Sequence, residues 1–218
     1  GSGTHARQTA AIMIELEKAI LNLKPDLVLV VGDVNSTLAA AIVASKLYIP
    51  IAHVEAGLRS FDRTMPEEIN RILTDRISTL LFCPTQNSVD ILQQEGVGRG
   101  VYLTGDVMFD ASLYYADVAE SRSNIFSRLQ LVPQQYYLAT VHRPANADVE
   151  EHIRSILQAF ARLPFPVVFP IHPRTQKMVN LMLREKRIDA PSSQLRVIEP
   201  VGYLDMLILE KYARTIIT

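Results

Sequence analysis

"LVLVVGDVNSTLAAAIVASKL", residues 27–47, carries the fold in miniature. Apolar side chains run unbroken from Leu27 to Val31, Gly32 and Asp33 interrupt them, and the next fourteen positions are apolar nearly all round a helix. A short unbroken apolar run rich in valine reads as a strand covered on both faces, one layer of a sheet with helices around it. Gly-Asp after it is where the chain turns out of the strand and into the helix.

The same unit recurs in both directions. Upstream, Ile12, Leu16, Ala19, Ile20 and Leu23 repeat at helical spacing, and Pro25 ends that helix. Downstream, "IPIAHVEA" (49–56), "LLFCPT" (80–85) and "VYLTG" (101–105) predict strands, with helices near 66–77 and 86–95. A polar, weakly periodic stretch from about 115 to 135 follows, and then the pattern restarts with "YYLATVH" (136–142). Asp148 and Glu151 can cap the next helix, in which Ile153, Ile156, Leu157 and Phe160 share a face. "VVFPIHP" (167–173), a helix near 174–185, "LRVIEP" (195–200), a helix near 203–213 and "RTIIT" complete the series.

Such alternation means α/β architecture with parallel, doubly wound sheets. The restart divides it into two Rossmann-like domains, 1–115 and 116–218, with the polar stretch as the crossing between them. The chain opens "GSGTHARQTA" without a Met and stops on an apparent strand with no helix to cover it. A fragment with both domains incomplete is therefore expected.

Charge narrows the partners. There are 22 basic and 23 acidic residues, net −1, with no long run of one sign. That argues against a general electrostatic partner such as nucleic acid or an anionic membrane, so any bound anion must be held locally. No apolar stretch reaches the roughly eighteen residues of a membrane span, and no basic-then-apolar leader is present. Cys83, the single cysteine, has no partner for an internal disulfide and suits a reducing compartment. The cytoplasm is the expected location.

In open parallel sheets ligands sit beyond the carboxyl ends of the strands. Those ends carry Gly32-Asp33-Val34-Asn35-Ser36, His53 and Glu55, Pro84-Thr85, Gly105-Asp106, His142-Arg143 and His172-Pro173-Arg174. Singly, each has a bland explanation: Asp33 or Ser36 can cap a helix, His53 can be a satisfied core histidine, and His172 can be a turn residue. Together, six strand ends with ionisable or cap-type groups favour a binding crevice. "HVEAGLRSFDRTMPEEINR" (53–71) belongs to it. Glu55 falls at the strand terminus, and Gly57 permits the turn after it. Pro66 opens a helix whose positive end faces Glu67 and Glu68, and Arg71 lies one turn beyond Glu67, placed to pair with it. A ten-residue loop joins Glu55 to this helix, long enough to fold two carboxylates over one pocket. Carboxylates at different depths can divide acid and base roles, but spacing alone does not choose between that and a capped surface helix.

Other chemistries fit less well. His53-Val54-Glu55 matches the H-x-E of zinc deaminases, which also need P-C-x-x-C. The histidines are scattered over strands and lack metal-ligand spacing. Cys83 beside Pro84 reads as a buried small hydrophobe. G-x-G-x-x-G and Walker loops are missing from the 218 residues.

With these residues in hand, the chain resembles the non-hydrolysing UDP-N-acetylglucosamine 2-epimerases. "GSGTHARQTA", the run from "KPDLVLVVGDVNST" through "HVEAGLRSFDRTMPEEINRILTD", "LLFCPTQNSVDILQQEGV", "TGDVMFDA", "TVHR", "FPIHPRT" and "PVGYLD" carry the likeness in order along almost the whole chain. The resemblance implies a glycosyltransferase-B-like pair of Rossmann domains with a sugar nucleotide in the cleft between them. It also implies interconversion of UDP-N-acetylglucosamine and UDP-N-acetylmannosamine without metal, nicotinamide or other cofactor. The family's route eliminates UDP to a 2-acetamidoglucal and re-adds it, with a carboxylate removing the C2 proton and a donor on the opposite face.

By motif, Asp33, Glu55 and Glu67 take the family's catalytic acidic positions, and His142 its histidine near the diphosphate. Arg71 matches the arginine at the substrate. Arg143 and His172 are further expected contacts. Pro200 and Met206 lie in "EPVGYLD", the segment expected to hold the uracil. After His142-Arg143 this chain has Pro144-Ala145-Asn146 where the family commonly has Glu-Asn, and Met206 stands where an aromatic is frequent. The family's opening Gly-Thr-Arg-Pro-Glu loop would precede Gly1, and its Asp-Ser-Gly-Gly segment would follow Thr218. A homodimer is the family's usual assembly. Three rivals stand beside this reading: a UDP-2,3-diacetamido-sugar uronate 2-epimerase on the same fold; a glycosyltransferase on the same architecture, which would not predict three acidic positions lining one sugar ring; and a non-catalytic remnant that binds UDP-sugar or a partner chain.

Overall fold

The computed structural model describes residues 3–141, 146, 149–184 and 194–218. The chain divides into two compact units, Gly1–Phe109 and Asp110–Thr218. The first runs α1 (His5–Leu23), β1 (Val28–Val31), α2 (Asn35–Lys46), β2 (Ile51–Val54), α3 (Pro66–Ile77), β3 (Leu80–Cys83), α4 (Gln86–Gln94) and β4 (Val101–Leu103). Helix α5 (Val107–Arg122) spans the division. The second continues with α6 (Ile125–Leu129), β5 (Tyr137–Ala139), α7 (Glu150–Ala161), β6 (Val167–Pro170), α8 (Pro173–Arg184), β7 (Leu195–Ile198), α9 (Tyr203–Tyr212) and β8 (Thr215–Ile217).

Each unit holds a four-stranded, wholly parallel sheet. In the second the order is β7-β6-β5-β8. The direction of travel reverses between β5 and β8, which makes a switch point at the carboxyl edge. Its central strands β5 and β6 are covered on both faces. Val167 and Phe169 point to one side, under Ile153, Leu157 and Phe160 of α7, while Val168 and Leu138 meet Leu207 and Leu209 of α9 on the other. Each such side chain contributes about 1.5–3 kcal/mol by leaving water.

In the first unit the order is β1-β2-β3-β4, in sequence. Right-handed crossovers carried steadily one way place α2, α3 and α4 on one face. Val30 packs there with Ala41 and Ala44, and Leu81 with Leu92. This corrects the expectation of a strand buried on both faces at 28–31: Leu29 and Val31 point to the opposite side and stay 57% and 49% exposed. The valine-rich run signalled a strand; within these 218 residues α2, α3 and α4 cover one of its faces.

The stretch near 115–135 lies between β4 of one sheet and β5 of the other, and α5 and α6 occupy much of it. Helix α5 buries only Ala119, so there is no apolar stripe for a periodicity to reveal. Val107, Met108, Phe109, Leu113 and Tyr114 on it are exposed.

Candidate functional site

At the carboxyl end of β1, Gly32 takes φ +67°, which turns the chain toward α2. Neither Asp33 nor Ser36 caps that helix: its N-cap is Val34, with no side-chain cap bond. The Thr37 hydroxyl instead donates back to the Val31 carbonyl at 2.7 Å. Asp33 is engaged from α3. Arg71 donates to its carboxylate, and the Asn70 amide donates to its backbone carbonyl at 2.8 Å and to Asn35 Oδ1 at 3.2 Å. Gln8 of α1 accepts from Asn35 at 3.1 Å, so α1, the β1–α2 turn and α3 converge on one point. Asn70, buried inside "EEINR", was not among the expected site residues; its one signal is a polar residue in the apolar spacing of α3.

Glu55 leaves the end of β2 with φ +71°, a region that costs a non-glycine residue about 1–3 kcal/mol and is found preferentially at functional sites. Burial pushes its carboxyl above the ordinary range, and the nearby Asp106 and Asp33 carboxylates push it further, with His53 partly offsetting them. Asp106 accepts from the backbone N–H of Met108 at 2.8 Å and of Phe109 at 3.3 Å. It was legible as a strand-end residue in "TGDVMFDA", but its action on Glu55 needed the sheet.

Beneath Glu55 lies a buried ionic network. His53, wholly buried, places Nδ1 2.7 Å from Asp75 Oδ1 and Nε2 2.9 Å from the Gly32 carbonyl oxygen. Asp75 Oδ2 accepts from Arg59 Nη1 at 2.7 Å and from the Gly57 N–H at 3.2 Å. Arg59 completes a two-pronged pair with Glu95 at 2.9 and 2.8 Å. Gly57 has φ +79°, and a Cβ there would lie 2.4 Å from the Ser88 carbonyl oxygen. Cys83 is buried beside this network, its thiol pushed by burial up to about 11, as suits an inert core residue.

The loop from 55 to 66 is tied to α3 by Glu68, not Glu67. Glu68 accepts from the Ser60 N–H, the Ser60 hydroxyl and the Phe61 N–H, all at 2.9 Å. Burial opposes its ionisation, but these bonds and Arg71 hold it below the usual carboxylate range. Arg71 thus pairs with Glu68 at 3.1 Å and with Asp33, correcting the expected Glu67–Arg71 pair. The i,i+3 partner is buried, where the attraction is stronger. Glu67 sits half-exposed in the first turn of α3 and has no hydrogen bond or ion pair among the described residues. It is also not among the charges acting on Glu55. Asp33 and Asp106 are the carboxylates brought to bear on Glu55.

In the second unit, His172, Pro200 and Met206 line one cavity of about 200 Å³ beyond β5, β6 and β7, with Thr140, Ile171 and Val201. His142, Arg143 and the capping residue Asp148 lie outside the described residues.

Two Rossmann-like parallel sheets, with ionisable groups gathered at a carboxyl edge, define an α/β protein of the glycosyltransferase-B type. The chain belongs to the UDP-N-acetylglucosamine 2-epimerase family, whose profile matches residues 1–218. It is 47% identical over its whole length to a UDP-N-acetylglucosamine 2-epimerase homolog of Methanococcus maripaludis. It is 43% identical over 99% of its length to a UDP-2,3-diacetamido-2,3-dideoxy-D-glucuronate 2-epimerase of Pseudomonas aeruginosa, covering 59% of that protein. Among solved structures, it superposes with TM-score 0.87 and 44% identity on the Methanocaldococcus jannaschii UDP-GlcNAc 2-epimerase in complex with UDP-GlcNAc and UDP. That match takes in 99% of this chain and 61% of the other. The chain spans about 61% of the length of the M. maripaludis relative as well.

Proposed function

We propose that this chain forms the acid–base and nucleotide-binding parts of a non-hydrolysing isomerase that interconverts UDP-N-acetylglucosamine and UDP-N-acetylmannosamine. The observation that carries the reading is Glu55: a carboxyl on strained backbone at the end of β2, raised by burial and set against Asp33 and Asp106. A base whose pKa lies nearer neutrality is better matched to the weakly acidic proton on C2 of the sugar. In the elimination, a carboxylate takes that proton, the C–H pair becomes the C1=C2 bond, and the C1–O bond breaks with its electrons leaving on the diphosphate of UDP. Re-addition forms the C1–O bond again while a carboxylic acid returns a proton to the opposite face of C2. Asp33, Glu55 and Glu67 are the proposed proton-handling groups. His142, Arg71 and Arg143 are proposed to balance charge on the leaving diphosphate, and the His172–Pro200–Met206 cavity to take the uracil. The setting is the cytoplasm, the assembly a homodimer and the product a precursor of surface polysaccharide.

The diacetamido-uronate reading shares this chemistry, and the 43% identity to the P. aeruginosa enzyme favours it nearly as much. The two part at the sugar's third and sixth positions. Incubation of the full reading frame encoding this chain with each UDP-sugar in heavy water, followed by proton NMR, tests both. A growing manno anomeric signal with deuterium at C2 from UDP-N-acetylglucosamine is expected; exchange only with the diacetamido uronate would replace the proposal, and exchange with neither would leave a sugar-nucleotide binder. Glu67→Gln is expected to lower turnover by about 10²–10⁴-fold while UDP binding, measured by calorimetry, is kept.

A further inference from the structure

His53 is the most buried ionisable group next to the proposed site, and the proposed chemistry gives it no role. Its two ring nitrogens each face a group that accepts: the Asp75 carboxylate at 2.7 Å and the Gly32 carbonyl at 2.9 Å. A neutral imidazole has one N–H and one acceptor nitrogen, so it would leave a lone pair against an oxygen lone pair on one side. A proton on Asp75 Oδ1 would satisfy both ring nitrogens, but the Arg59 guanidinium and the Gly57 N–H both donate to Oδ2 of that carboxylate and favour its ionised form. Charge gives the same answer. Arg59 with Asp75 and Glu95 alone would carry one net negative charge, with the His53, Asp75 and Arg59 side chains at most 1% exposed and Glu95 28% exposed. A cationic His53 brings the four to neutrality.

We propose that His53 is a positioning residue, held as a buried imidazolium that clamps the β1–α2 turn to the β2–α3 loop and so sets where the Asp33 and Glu55 carboxylates stand. Its Nε2–H fixes the carbonyl of Gly32, the residue before Asp33. A Cβ at Gly32 would lie 3.4 Å from Glu55 Oε2, so this turn and Glu55 pack directly together. Its Nδ1–H fixes Asp75, which in turn holds the Gly57 N–H, two residues after Glu55. One ring therefore ties down the backbone just before Asp33 and just after Glu55. The inference rests on the epimerase reading for its consequence to turnover, and on geometry alone for the protonation state.

Two measurements on the full reading frame test it. In ¹⁵N–¹H correlation spectra of histidine-labelled protein at neutral pH, both ring nitrogens of His53 are expected to carry protons; a bare nitrogen on that ring overturns the proposal. His53→Asn keeps a donor toward Asp75, and His53→Gln can reach only one of the two acceptors. Each is expected to lower kcat about 10-fold or more, a loss of positioning, with little change in KM, and to move the backbone amide shifts of Asp33 and Glu55. Wild-type kcat and unmoved shifts in a folded variant overturn the proposal. If the wild-type protein shows no exchange with either sugar, the epimerase reading fails, yet the ring protonation and the amide shifts still decide the clamp. If neither variant folds, the ring spectrum of the wild type decides.

Discussion

Glu55 carries two costs that its sequence neighbours do not explain, a left-handed backbone and a carboxyl raised by burial and by Asp106 and Asp33. Its folded pKa lies above the unfolded one, so its contribution to stability is complete below the ordinary carboxylate range and is lost as pH rises through the folded value. At neutral pH the ionised group therefore destabilises the fold. Glu55→Gln is expected to raise the thermal midpoint at pH 7 relative to acid while turnover falls about 10²–10⁴-fold, both read on one preparation by calorimetry and the NMR assay. Asp106→Asn keeps an oxygen to accept from Met108 and Phe109 but removes a charge that repels ionised Glu55. The acid limb of kcat/KM is expected to move to lower pH in that variant. An unmoved limb would mean that Glu55 is not the base being titrated.

Helix α3 acts as a bracket. From its one buried side, Glu68, Asn70, Arg71 and Asp75 reach the 57–61 loop, the β1–α2 turn and β2. The first turn binds the loop through Glu68, which is depressed below the usual carboxylate range by the bonds from Ser60 and Phe61 despite its burial. That contribution is present above the unfolded pKa and is lost as pH falls through the folded value. Glu68→Ala leaves the Ser60 and Phe61 N–H groups unpaired and strips Arg71 of one partner. It is expected to cost about 1–3 kcal/mol in urea unfolding, the scale for lost hydrogen bonds, and to speed amide exchange at both residues. Gly57→Ala tests the same bracket from the other side. Its φ of +79° and the 2.4 Å approach to the Ser88 carbonyl leave no room for a methyl group. A loss of more than about 1 kcal/mol is expected, the lower bound for strain of this kind.

Within these 218 residues the two sheets are covered to different extents. The second buries β5 and β6 from both sides, whereas in the first Leu29, Val31 and Tyr102 share the face away from α2–α4 and remain about half exposed. In a chain of this extent, an exposed apolar sheet face is a template for self-association. Leu29→Lys is expected to suppress concentration-dependent light scattering of the 218-residue chain with its thermal midpoint unchanged. A midpoint that falls would show that Leu29 is packed in solution.

Much of this protein is local in origin and so could be read from the sequence. The strand–helix alternation, the placing of α3 at Pro66 and of Glu55 at a strand end, and the buried stripe Ile153, Leu157 and Phe160 follow from periodicity, proline and glycine, which act over a few residues. The family, too, was carried by contiguous motifs. Pairings between distant residues depend on how strands are ordered and helices docked, and only the tertiary structure decided them. It chose Glu68 over Glu67 as the partner of Arg71, joined His53 to Asp75 across 22 positions, and brought Asp106 to bear on Glu55. It also left α5 without a buried stripe, because that helix is covered over so little of its surface. Sequence specifies which groups end each strand; the parallel sheet, by setting those ends side by side, makes them one site.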